Sequence, residues 1–365
     1  MKFIPAKAVL HDLWRMPHAV ATREGAELMD RNERTVDFPP EVMEELRRRI
    51  TPFLLRAYPE PGPLCEKLAV WLDLPSSMLL LSTGADGGLR AVFETFVEPG
   101  DGVVGLTPSY GMYPVYCGIS GSVYQPVRFN EDLSLLLDQI LERINDRTKL
   151  VVLANPNQPI ERVYTEEEIR RLAEACARRD ALLVMDEAYY PFCPWTALPL
   201  VNEYGNLIVV RSFSKAFGIA GVRLGYVASQ SENIEHLKKV RPLYETNSVA
   251  IAIGLYLLEN DHLMRSYVAQ VKEALAYLVS ALRELGLPAT GRWGNSLVVP
   301  LPPDLPAQEM ADAIKRQGFL VRVESEPPLS NHLRVTVGPK DQAERFLAVF
   351  ESVWVERRKI VLNTR

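Results

Sequence analysis

From Met78 onward the chain alternates short unbroken apolar runs with stretches whose apolar residues recur every three to four positions. "MLLLSTG" is followed by "ADGGLRAVFETF", "GVVGLTP" by the aromatic "YGMYPVYCGI", and "SVYQPVRF" by "LSLLLDQILERI". Then come "KLVVLANPN", the helix "TEEEIRRLAEACARRD" with Thr165 as N-cap, and strands in "ALLVMDEAYY" and "NLIVVRSFSK". Unbroken Val, Ile and Leu runs separated by helices predict an α/β fold, a mostly parallel sheet with helices on both faces.

The pattern differs at both ends of this region. Residues 1–45 are polar and irregular and read as an N-terminal arm, after which "PEVMEELRRRI" is a helix opened by Pro39 and Pro40, where a missing N–H costs little. Residues 46–250 form the large domain. From about Asn247 a long helical tract, "SVAIAIGLYLLENDHLMRSYVAQVKEALAYLVSALRELG", links it to a smaller α+β unit over 251–365. The strands expected there are "NSLVVPLP", "FLVRVES" and "HLRVTVG", and the helices "AQEMADAIKRQG" and "KDQAERFLAVFESVWVERR".

Composition narrows the partners. The 365 residues are 47% hydrophobic and 24% charged with a net charge of −5, and no basic run suggests nucleic acid or an anionic membrane. No segment reaches the roughly 18 uninterrupted apolar residues of a membrane helix, so a cytoplasmic location is the default expectation. Cys65, Cys117, Cys176 and Cys193 are too widely spaced for a metal pattern and read as reduced thiols, and the five histidines share no motif.

In an open parallel sheet, ligands sit beyond the carboxyl ends of the strands. Here those ends carry Thr83, Gly84, Ala85 and Asp86; Asn157; Asp186 and Tyr189; and Ser212, Ser214 and Lys215. A lone lysine in such a place is ordinarily a solvated surface residue, and a lone aspartate a turn residue. Their company changes that reading. A desolvated lysine forms imines with carbonyl compounds, and a buried carboxylate such as Asp186 keeps a pyridine nitrogen protonated so that the ring accepts electrons. Ser212, Ser214, Arg223 and the N–H groups of Ala85 and Asp86 suit a phosphate. Tyr189 and Asn157 suit a phenolic oxygen, and Tyr110 the face of a ring. Together they call for pyridoxal 5'-phosphate.

On these residues the chain resembles the fold-type I, class I/II pyridoxal-phosphate-dependent aminotransferases, nearest the histidinol-phosphate aminotransferase subgroup. The resemblance runs from "AYPEPG" near Tyr58 through "TGAD", "TPSYGMY", "NPNQP", "DEAY" and "SFSKAFGIAGVRLGY" to "LRVTVG". It implies a seven-stranded sheet and a homodimer in which Tyr58 reaches the other subunit's site. It further implies that Lys215 carries the internal aldimine and moves the substrate Cα proton, with Asp186 and Tyr189 beside it in catalysis. Arg334, assisted by Arg322 and with Asn157 nearby, would hold the substrate's carboxylate, or the phosphate of an amino alcohol phosphate. The implied reaction moves an amino group between an L-amino acid or amino alcohol phosphate and a 2-oxo acid.

The chain departs from the family pattern at three places. Ile160 and Glu161 stand where the loop usually continues with Thr and Gly, Glu245 lies within "PLYETNSVA", and the arm keeps Asn32 and Glu33 but lacks the usual Asn-Pro-Tyr-Gly-Pro continuation. Each departure is expected to bear on the substrate pocket. Two other readings stay open from residues alone. One is a lyase, decarboxylase or cyclase on the same cofactor; the other is a binding module that keeps the fold, against which buried Lys215, Asp186 and Arg223 weigh.

Overall fold

The computed structural model describes residues 4, 8–11, 13 and 23–363; the rest of the arm, His18 included, lies outside the described residues. The first strand, β1 (Glu27–Leu28), belongs to the arm, and helices α1 (Pro40–Arg49), α2 (Pro52–Arg56) and α3 (Gly62–Leu72) follow. The large domain then runs β2 (Leu79–Ser82), α4 (Gly84–Phe96), β3 (Gly102–Thr107), α5 (Met112–Ser120), β4 (Val123–Arg128), α6 (Leu137–Leu141) and β5 (Thr148–Ala154). It continues with α7 (Glu166–Ala177), β6 (Leu182–Asp186), β7 (Leu207–Ser212), β8 (Gly225–Ala228) and α8 (Ser231–Val240). Helices α9 (Ser248–Glu259) and α10 (His262–Glu284) lead to β9 (Ser296–Pro300), α11 (Ala307–Arg316), β10 (Phe319–Leu320), β11 (Arg322–Glu324), β12 (His332–Thr336) and α12 (Lys340–Asn363).

The predicted sheet has seven strands in the order β2-β8-β7-β6-β5-β3-β4. Only β8 runs against its neighbours, so the carboxyl ends of the other six share one edge. Residues of β5 alternate between two cores, Val151 and Leu153 joining one cluster and Leu150 and Val152 the other, as the two-residue period of a strand dictates. Thr165 caps α7 as expected, its hydroxyl accepting from the Glu168 N–H while the Glu168 carboxylate accepts from the Thr165 N–H.

Two expectations change in detail. The helical tract after Asn247 is two helices, broken at Asn260, whose side-chain amide bonds the Tyr256 carbonyl, and Asp261, whose carboxylate accepts from Trp71 Nε1 at 3.1 Å. Short polar side chains that bond nearby groups compete with the helical backbone. The cores divide inside α10: Met264 to Val271 pack with the large domain, and Ala274 to Leu282 with the small one. The single strand read in "FLVRVES" is likewise two, because β10 pairs with arm strand β1 while β11 pairs with β12. The arm thus supplies a strand to the small domain.

Candidate active site

The carboxyl-end edge brings most of the expected residues together. Asp186 ends β6, where its carboxylate accepts the Ala188 N–H at 3.1 Å and the Tyr113 hydroxyl at 2.7 Å. Burial pushes its pKa up from 3.8 to about 6, against the lowering effect of those two bonds. Tyr113, in the same aromatic stretch as Tyr110, thus joins this edge through Asp186, a partnership that its sequence position alone does not signal. Its ring is fully buried, edge-on to that of Tyr110.

Behind Asp186 lies a second buried charge. Glu187 accepts from Arg211 at 2.9 and 3.0 Å, from the Thr196 hydroxyl at 2.7 Å and from the Ala197 N–H at 2.6 Å. The Arg211 guanidinium also sits 3.5 Å from the Tyr190 ring centroid. This pair joins β6 to β7, and so fixes the strand end bearing Asp186 relative to the loop bearing Lys215.

Lys215 follows β7 in a segment pinned by buried Phe213 and Phe217, whose rings stack at 4.3 Å. Its Nζ donates to the Arg31 carbonyl at 3.2 Å and lies 5.6 Å from the Tyr189 ring centroid. Burial, joined by the charges of Arg334 and Arg223, lowers its pKa to about 8. A sizeable share of the amine is therefore neutral near physiological pH, as attack on a carbonyl requires.

Asn157 is fully buried, with Nδ2 donating to the carbonyls of Ile160 at 2.8 Å and Pro108 at 3.2 Å. Those two carbonyls fix the amide orientation and leave Oδ1 buried without a partner. Asn157 therefore offers an acceptor. Tyr189 offers a donor, because its oxygen already accepts from Asn32 Nδ2 at 2.7 Å and its own proton is free. Asn32 is the other residue whose place in the site went unread. It has a left-handed φ of 55°, which Asn tolerates better than most residues, and its backbone N–H donates to Thr336 Oγ1 at 2.8 Å.

At the start of α4, close packing shapes a cup. A Cβ on Gly84, itself at φ +68°, would lie 2.8 Å from Arg223 Nη2, and a Cβ on Gly225 would lie 2.4 Å from the Gly84 carbonyl carbon. Only glycines let the Arg223 guanidinium and the first turn of α4 come this near. Around the cup stand buried Ser212 and Ser214, and the Arg223 side chain lies 3.5 Å from both Ser214 Oγ and Asp86 Oδ2. The N–H groups of Ala85 and Asp86 have no intrahelical partner in this geometry. The Asp86 carboxylate is held by the hydroxyls of Tyr110 at 2.5 Å and Tyr116 at 3.1 Å. Glu245 takes the Thr83 N–H at 3.1 Å and the Thr83 hydroxyl at 3.0 Å, so this departure caps α4.

The other loop departures are also structural. Ile160 is core, and Glu161 accepts the Trp293 N–H at 2.8 Å, tying the loop after β5 to the turn before β9. Burial raises the Glu161 pKa. Arg322 and Arg334 stand opposite each other in the β11–β12 register, with Glu324 between their guanidinium groups. Tyr58 makes no hydrogen bond to the cup among the described residues. It is 72% exposed and stacks on Tyr244 at 4.2 Å.

The family described as aminotransferase class I and II matches residues 16–350. The chain belongs to that family. The aminotransferase is 34% identical over 303 residues to the histidinol-phosphate aminotransferase of Symbiobacterium thermophilum, covering 82% of each chain. With the histidinol-phosphate aminotransferase of Thermoanaerobacter sp. it shares 31% over 316 residues, 85% of this chain and 88% of the relative. Its fold matches the histidinol-phosphate aminotransferase of Sinorhizobium meliloti, solved with pyridoxal-5'-phosphate, at a TM-score of 0.85 and 23% identity, over 96% of this chain and 98% of that one.

Pyridoxal phosphate is the cofactor of this aminotransferase, and the residues present fit it. The glycine cup suits its phosphate, the unpartnered Asn157 Oδ1 and the Tyr189 proton suit polar groups at the ring's edge, and Asp186 suits the ring nitrogen. In the cofactor-free protein, folded Asp186 keeps its proton up to about pH 6, whereas an unfolded chain releases it near 3.8. The folded state binds more protons within that window, so rising pH there removes stability. Thermal melts of cofactor-free protein between about pH 4 and 7 are expected to show Asp186→Asn gaining on the wild type as pH rises. Parallel curves would assign Asp186 an ordinary pKa.

Proposed function

We propose that this aminotransferase moves an amino group between an L-amino acid or amino alcohol phosphate and a 2-oxo acid, with Lys215 as the proton carrier at substrate Cα. The observation that carries the reading is the Lys215 amine, lowered to about 8, on the edge that also presents Asp186, Tyr189 and the glycine cup. When bound, pyridoxal phosphate supplies an aldehyde that takes up the amino group and a ring that accepts the electron pair left when Cα loses its proton.

The chain's own residues do the rest. Ala85 and Asp86 through their N–H groups, with Ser212, Ser214 and Arg223, bind the phosphate and set the depth of the ring. Tyr110 covers the ring face. Asp186 holds a proton at the ring nitrogen, its own pKa kept down by the Tyr113 hydroxyl against the effect of burial. Tyr189 donates to the ring's phenolic oxygen, and Asn157 accepts beside it. Lys215 would take the proton from Cα and deliver it to the cofactor's former aldehyde carbon, one nitrogen away, a transfer that suits a base whose pKa lies near the working pH. Arg334, with Arg322, orients the substrate's anionic group so that the Cα–H bond faces Lys215.

A homodimer belongs to the same reading, with Tyr58 completing the phosphate site of the partner. Supporting it are the exposed Tyr58–Tyr244 stack and exposed Phe53, Leu55 and Leu243 nearby in sequence. A cytoplasmic location is in keeping with four free cysteines, three of them buried. The names of the relatives support a donor of the amino alcohol phosphate kind, and the family supports amino acids. The test is a panel of both donor classes mixed with the holoenzyme while its absorbance reports conversion of the cofactor to its aminated form. Conversion restored by a 2-oxo acid is expected, and Arg334→Ala should raise KM far more than it lowers kcat. Release of CO2 or ammonia without conversion would overturn the reading.

A further inference from the structure

Two arginines facing a substrate anion would ordinarily favour a doubly charged group. Here they do not face it alone. Glu324 Oε1 lies 3.3 Å from Arg334 Nη1 and 3.4 Å from Arg322 Nε, and the side chains of Glu324 and Arg334 are each only 15% exposed. The placement follows from the sheet: Arg322 and Glu324 are two residues apart on β11 and share a face, and Arg334 is opposite Arg322 on β12.

The contacts are ion pairs without hydrogen-bond geometry. Arg322 Nε, Arg334 Nε and Glu324 Oε1 are all buried without a hydrogen-bond partner. Apart from Arg334 Nη2, which reaches the Asp30 carbonyl at 3.5 Å, the guanidinium donors therefore remain available to a ligand, while the carboxylate has already cancelled one of the two positive charges. Nearby groups do not restore the balance. His332, opposite Glu324 in the register, has its pKa lowered by burial and is neutral at pH 7. On the arm, Arg23 bonds Asp30 and Glu33, and Arg31 lies 3.6 Å from Asp30 Oδ2, so two cations meet two anions.

We propose that Glu324 sets the charge accepted by the substrate-anion subsite, making it selective for the single charge of an amino acid carboxylate over the double charge of an amino alcohol phosphate. This rests on the aminotransferase reading above and narrows its donor. A carboxylate entering between Arg322 and Arg334 meets a net charge of about +1 and is matched. A phosphate dianion brings a second negative charge close to Glu324 in a poorly solvated place, where a single like-charge contact changes affinity by about tenfold or more.

The experiment compares kcat/KM for conversion of the holoenzyme by L-amino acids and by O-phosphorylated amino alcohols of matched side chain. Wild type is expected to prefer the carboxylates. Glu324→Gln, which keeps the side-chain volume, is expected to raise the phosphate-to-carboxylate ratio by about tenfold or more, and Arg322→Gln to lower it. Wild-type preference for phosphate donors, or a ratio unmoved by both variants, would overturn the proposal and leave the aminotransferase reading standing. Absence of conversion by either donor class would overturn both.

Discussion

Replacing Lys215 with alanine is expected to slow amino transfer by roughly a thousandfold or more, since on the proposed reading the chain loses both the amine that anchors the cofactor and the base that moves the Cα proton. The Nζ is held at the Arg31 carbonyl, and among the described residues the cations that act on it, Arg334 and Arg223, are guanidinium groups rather than amines. Wild type is expected to fix pyridoxal phosphate covalently on borohydride reduction, and the variant to lose that fixation. Pyridoxal phosphate should still bind, since the cup of Gly84, Arg223, Ser212 and Ser214 is intact. Mass spectrometry of the reduced protein separates these effects. A cofactor adduct that persists in Lys215→Ala would remove Lys215 from the site.

The largest effect on stability is expected from Arg211→Met, at about 3–5 kcal/mol by urea unfolding, because it strands the fully buried Glu187 carboxylate. The Thr196 hydroxyl and Ala197 N–H would still bond Glu187, but neither brings a charge. The paired change of Arg211→Met with Glu187→Leu should recover much of the loss, since an apolar pair of similar volume leaves no charge buried. A single-variant loss under about 1 kcal/mol would mean that water reaches Glu187. This prediction concerns stability, yet it bears on chemistry, because the pair sits between Asp186 and the loop of Lys215.

The order of the sheet's elements was legible because fully buried strands leave unbroken apolar runs, and the placing of Lys215, Asp186 and Asn157 on one edge was legible because each follows such a run at a strand's carboxyl end. What sequence could not supply was the identity of hydrogen-bond partners. Tyr113 reads as one more aromatic in an apolar helix until its hydroxyl is seen at Asp186. Glu324 reads as one charge in a strand until the register sets it between two arginines. The departures at Ile160, Glu161 and Glu245 were visible at once, but their work was not. Each is engaged with the chain itself, as core, as a tie between domains and as a helix cap, and such work depends on segments distant in sequence.

Asn32 touches three bodies at once: its backbone lies on the arm, its N–H and Oδ1 on Thr336 of the small domain, and its Nδ2 on Tyr189 of the large one. For protein engineering, the arm is therefore not an interchangeable module. Grafting an arm that lacks this Asn would disturb the seat of β1 on β10 and remove the donor to the Tyr189 hydroxyl in one step, so the two would shift together. Variation confined to the arm flanking Asn32 keeps those two contacts separable.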